Sequence, residues 1–90
     1  MDNRYYINSQ KVAVLCWYTS SGRTLPKMIR FENEEGERIT IADIEVLETP
    51  KDREGLCVMQ SYKCKTIQEN KEITFLLLFH PGENIWELRW

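Results

Sequence analysis

Ninety residues give room for one hydrophobic core, and 42% hydrophobic against 29% charged side chains is the balance of a folded domain, not a disordered chain. Net charge is −2 and evenly spread: residues 1–45 hold six basic and seven acidic side chains, and residues 46–90 hold six and seven again. This excludes a basic tail or block for whole-chain counterion-release binding to nucleic acid, and the longest apolar run, Phe75–Phe79, is far too short to span a bilayer.

Only two alanines are present, while Ile, Val, Thr and aromatic residues fill the ordered-looking stretches. Such side chains are stiff at χ1 or bulky and suit a pleated surface better than a helix. Residues 1–10 read as a loose segment or an edge strand with a Tyr5-Tyr6-Ile7 island. The run KVAVLCWYT, Lys11 to Thr19, reads as a strand buried on both faces or nearly so, stopped by Ser20-Ser21-Gly22.

Pro26 is expected to open the next strand, where its missing N–H matters least. Asn33-Glu34-Glu35-Gly36 reads as a hairpin connection. Ile39 and Ile41 then alternate with Arg38 and Thr40. The alternation breaks at Ala42-Asp43, and Ile44 and Val46 resume in the opposite phase. A bulge or sharp bend near Ala42 explains that change and lets one strand serve two sheets of a barrel.

Thr49 to Gly55 has cap, proline and glycine signals for a loop or a single helical turn. From Leu56 to Thr66 the alternation places Tyr62 and Cys64 inwards and Lys63 and Lys65 outwards. Asn70 marks a turn. Ile73 to His80 is the most apolar strand, expected to be central and buried on both faces. Pro81 to Asn84 turns the chain, and Trp86 and Leu88 are expected to close the core with Glu87 and Arg89 on the other face. The whole is one all-β domain over residues 1–90. The expected architecture is a small antiparallel barrel of five to six strands, SH3-like or related.

The chemistry-bearing residues are sparse. Cys57 and Cys64 are an odd number of residues apart, which puts them on opposite faces of a regular strand and away from a shared metal site. His80 is the only imidazole. It precedes Pro81-Gly82 and fits a strand end, either bonded to turn backbone or half-exposed. A thiol enzyme built on His80 with Cys16 or Cys64 is the remote alternative. Glu32, Glu34, Glu35 and Glu37 cluster at a wet hairpin tip. Gly22, Gly36, Gly55 and Gly82 are scattered, with no phosphate loop. No metal and no cofactor is expected.

The candidate binding surface comprises Trp17, Tyr18, Arg23, Arg30, Arg38, Lys63 and Lys65, with Lys27 beside them. On a small barrel such basic and aromatic side chains serve single-stranded nucleic acid. Here Glu32 and Glu37 stand beside the arginines and weaken the field. A sheet face or edge that binds an unknown protein partner, or a second copy, is the leading reading, and nucleic acid is the alternative. No C-x-x-C occurs among the three cysteines and no apolar leader follows Met1, so the expected setting is cytoplasmic with reduced thiols.

Pro26, Ile29-x-Phe31, Gly36, Ile39-x-Ile41, Ile44, Gly55, Tyr62-x-Cys64, Leu78 and Trp86-x-Leu88 follow one another in an order that resembles small single-domain β-barrel proteins of Firmicutes bacteria. Those proteins have no assigned function. The resemblance spans residues 12–88 and implies a bacterial cytoplasmic barrel without catalytic residues to carry over. Glu87 after Trp86 departs from the aromatic residue that the pattern has there.

Overall fold

The computed structural model describes residues 6–50 and 59–90. The expected helical turn after Thr49, the strand start at Leu56–Val58, Cys57 and Tyr5 lie outside them. Seven strands form: β1 (Ser9–Tyr18), β2 (Thr24–Glu32), β3 (Arg38–Ile41), β4 (Glu45–Glu48), β5 (Gln60–Gln68), β6 (Lys71–His80) and β7 (Ile85–Arg89). They make one antiparallel sheet in the order β3-β2-β1-β7-β6-β5-β4, curled into a half-barrel so that β2 comes back towards β4.

Seven strands replace the expected five or six because the bend at Ala42-Asp43 divides one strand in two. Asp43 takes φ 54°, a left-handed value that Asp tolerates better than most side chains. The six antiparallel pairings give β3 and β4 the same direction. They are two halves of one bent strand. The first half pairs with β2 and the second with β5, so the chain passes from one edge of the sheet directly to the other.

The turns follow residue chemistry. Asn33 Oδ1 accepts from the backbone N–H groups of Glu35 and Glu37, and Gly36 takes φ 80°. Glu69 and Asn70 both have positive φ, the pair of values that a two-residue hairpin requires to match strand twist. The His80 carbonyl accepts from the N–H of Glu83 and of Asn84 and closes the last turn.

The core lies on the concave face. Ile29, Ile44, Tyr62, Cys64, Phe75, Leu77 and Leu88 are buried there, and Val12, Val14, Phe31, Ile41, Val46 and Trp86 pack against them. Tyr62 and Cys64 point inwards and Lys63 and Lys65 outwards, as the alternation requires. Trp86 meets Phe79 at 4.9 Å and Tyr62 at 5.6 Å between ring centroids, tilted contacts that suit aromatic quadrupoles.

β6 is interior to the sheet, between β5 and β7, although β7 holds the middle place. Phe75 to Leu78 are buried on both faces. Trp90 is 43% exposed while its backbone exchanges two hydrogen bonds with Asn8.

Two expectations fail. β1 is not buried on both faces: it alternates, with Val12, Val14 and Cys16 half-buried and Ala13, Leu15 and Trp17 exposed. No second layer covers its convex side among the described residues. Pro26 does not open β2 but stands third in it, fully buried. It pairs with Cys16 beside an irregularity that leaves Lys27 as the extra residue. β3 pairs only with Ile29–Glu32, so at Pro26 the strand has a ladder partner on one side only, and the missing N–H costs nothing there.

Candidate binding groove at the sheet seam

β3 leaves β2 at Ile29 and bends away towards β5. The first half of β2, Thr24–Met28, and the outer edge of β4 therefore face each other without a strand between them. The gap is a groove of about 770 Å³. Leu15, Trp17, Leu25 and Met28 line the hairpin wall with Arg23 and Lys27, and the bent strand supplies Ala42, Asp43, Ile44, Glu45 and Val46.

Trp17 is 65% exposed and Leu15 58%. The Lys27 ammonium stands 5.3 Å from the centre of the Trp17 ring, a cation–π contact that settles both side chains at the wall. The hairpin end is fixed by its turn: the Thr19 N–H donates to the Arg23 carbonyl, the Arg23 N–H donates to Thr19 Oγ1, and Gly22 takes φ 85°.

The seven residues singled out from sequence do not form one surface. Trp17 and Arg23 meet in the groove. Tyr18 is 80% exposed and points to the opposite side of β1 from Trp17. Arg30 donates to Thr40 Oγ1 at 3.2 Å, and Arg38 stands across from Glu32 in the β2–β3 register. Arg30 also lines a shallower hollow with Lys11, Asn84 and Trp86.

Lys63 and Lys65 are on β5, separated from β2 in the sheet by β6, β7 and β1. Each is engaged by carboxylates: Lys63 with Glu48 at 3.7 Å, and Lys65 with Glu72 at 3.1 Å and Glu45 at 3.6 Å. Glu72 and then Glu45 hold the Lys65 ammonium's pKa above its ordinary value. The sequence reading missed Asp43, Ile44 and Glu45 as groove residues. Their signal was the phase change at Ala42-Asp43, which marked the bend but not what the bend leaves open.

The other polar constellation is on the convex face. His80 Nε2 lies 3.0 Å from Glu87 Oε1, and Arg89 Nε donates to Glu87 Oε2 at 2.8 Å. His80 is thus tied to a carboxylate, not to turn backbone through its ring. Glu87 pairs with Leu78 in the ladder, so His80, two residues on, is its diagonal neighbour. The Arg89 bond lowers the Glu87 carboxyl pKa most, burial opposes it, and the His80 bond adds a smaller lowering.

Cys64 faces the other way, into the core beside Phe75. Burial pushes its thiol up to about 12, and burial raises the Cys16 thiol too. Tyr62 is raised mainly by burial, with Cys16, Cys64 and Tyr18 adding to it. Among the described residues no three His, Cys, Asp or Glu side chains come together as a metal site, and no helix is long and apolar enough to cross a membrane.

No protein-family model, curated protein or solved structure matches the chain. The reading of function rests on the geometry.

Proposed function

We propose that this chain is a small non-enzymatic interaction module that holds a protein partner in the seam groove, on a barrel of SH3-like or related type. A bacterial, cytoplasmic setting belongs to the same proposal. The observation that carries it is the exposure of Leu15 and Trp17, at 58% and 65%, along the wall of a groove that also carries charged side chains. Single exposed apolar residues are ordinary. Several lining one groove between two free strand edges are the kind of surface that partners use.

The thiols support the non-enzymatic part. Cys64 at about 12 and the raised Cys16 stay protonated at neutral pH and make poor nucleophiles. His80 is bound to Glu87 on the face away from Cys64.

Immobilised wild-type chain, Trp17→Glu and Ile67→Glu test the reading in parallel. Ile67 is 69% exposed at the far hairpin and serves as the control. A partner retained by wild type and Ile67→Glu but lost from Trp17→Glu is the expected result. Equal retention on all three surfaces overturns it, and so does any turnover abolished by Cys16→Ser or His80→Ala.

A single-stranded nucleic acid is the second reading. It draws on Trp17, Lys27 and Arg23 standing together, a stacking ring beside two cations. Titration with oligonucleotides at low salt decides it: binding must appear there and weaken as salt is added.

A further inference from the structure

We propose that the occupant of the seam groove is a second copy of this chain, docked groove to groove about a two-fold axis parallel to the strands. The inference rests on the interaction reading above and names its partner. Its basis is the division of charge between the two walls. Arg23 and Lys27 stand on the hairpin side, Asp43 and Glu45 on the bent strand. Lys65 is shared between Glu45 and Glu72, so the three together still carry one negative charge.

Two rotations bring a pair of such grooves mouth to mouth. An axis across the strands sets like walls together, with Lys27 against the partner's Lys27 and Glu45 against the partner's Glu45. An axis along the strands sets each basic wall against the partner's acidic wall, at both rims at once. Like-charge juxtaposition is costly and opposite charge steers docking, so the charges select the second arrangement.

Direction agrees with this choice. β2 and β4 run antiparallel within one copy, and an axis along the strands preserves direction. β2 therefore runs antiparallel to the partner's β4, side chains facing side chains, since Pro26 and the bulge at Leu47 interrupt a backbone ladder there. Leu15 and Trp17 lie inside the contact and leave water. A stable interface needs about 800 Å² from each partner, roughly a ninth of this chain's 6964 Å².

Sedimentation velocity on wild type, Lys27→Glu and Glu45→Lys tests the arrangement. Wild type is expected at about twice the monomer mass of 10.8 kDa, with association weakened by added salt. Lys27→Glu leaves the hairpin wall without net charge, since Arg23 stays, and Glu45→Lys does the same to the bent strand, since Asp43 stays. Each alone is expected to associate at least about tenfold more weakly, the equivalent of 1.4 kcal/mol. Mixed in equal amounts they are expected to form a heterodimer, since the intact basic wall of one then meets the intact acidic wall of the other, and the two altered positions face each other with opposite charge.

A wild type that stays monomeric to millimolar concentration overturns the proposal. So does a dimer that neither variant weakens, or a mixture that fails to associate. Circular dichroism checks that each variant keeps its strand signal, and recovery in the mixture is itself proof of folded chains. A monomeric wild type that still holds a protein partner through Trp17 leaves the interaction reading standing, so the two failures are distinguishable.

Discussion

The β6–β7 hairpin and the outer end of the β1–β2 hairpin are built from similar residues and meet opposite fates. Phe75-Leu76-Leu77-Leu78 is at most 2% exposed, whereas Leu15, Trp17 and Tyr18 are 58–80% exposed. Apolar content does not separate them. β6 has ladder partners on both sides from Leu76 to Phe79, while β1 beyond Val12 has only β2 beside it and the first half of β2 has only β1. Burial here follows how many neighbours a strand is given: β7 reaches β1 no further than Val12, and the bend at Asp43 takes β3 away from the first half of β2.

The largest expected break in that contrast is Leu77→Ala. Leu77 is fully buried, and its truncation is expected to cost about 4 kcal/mol in denaturant unfolding, a large share of the stability of a domain this size. Leu15→Ala, the same chemical change at the exposed end, is expected to move the midpoint by less than about 0.5 kcal/mol. Equal effects from the two would erase the distinction. Trp86→Ala comes next, at about 3 kcal/mol, because it removes the ring that joins Tyr62 and Phe79. An unchanged melting temperature would place that ring outside the core.

A smaller effect sharpens the comparison at the turn that feeds β6. Asn70 has φ 64°, which costs an alanine roughly 1 kcal/mol, so Asn70→Ala is expected to destabilise by that amount and Asn70→Gly not at all. The smallest concerns acid. The Glu87 carboxyl has its folded pKa below the ordinary 4.5. Its contribution is therefore fully present above 4.5 and is lost as pH falls through the lowered value. Glu87→Gln is expected to flatten the fall in melting temperature below pH 4.5. An acid limb identical to wild type would show that the His80 and Arg89 bonds do not count.

Much of the local architecture was legible because the signals are local. Gly36 and Asn70 mark turns through the φ values they accept, Asn33 through the backbone N–H groups its side chain binds, and the phase change after Ile41 marks the bend. The inward set of Tyr62, Cys64, Trp86 and Leu88 follows from period-two alternation. What depends on distant pairing was not legible. Val12-Ala13-Val14-Leu15-Cys16 is apolar at every position, so periodicity cannot say that one face lacks a cover. Pro26 became intelligible only once β3 was seen to pair no further than Ile29. The His80–Glu87 contact waits on the register that sets Leu78 opposite Glu87. Arg30 and Lys63 were grouped by type, and type says nothing of the three strands between them.

Pro26 and the irregularity at Leu47 sit on the two strand edges that the groove leaves bare. Each interrupts the ladder where a foreign strand would try to continue it: Pro26 offers no N–H, and Leu47 puts β4 out of step after Val46. Edges broken in this way resist endless strand-on-strand growth into fibrils. A concentrated solution of this chain should accordingly stop at small finite particles, clear of amyloid-dye signal, and restoring the ladder with Pro26→Val should be the change that lets fibres grow.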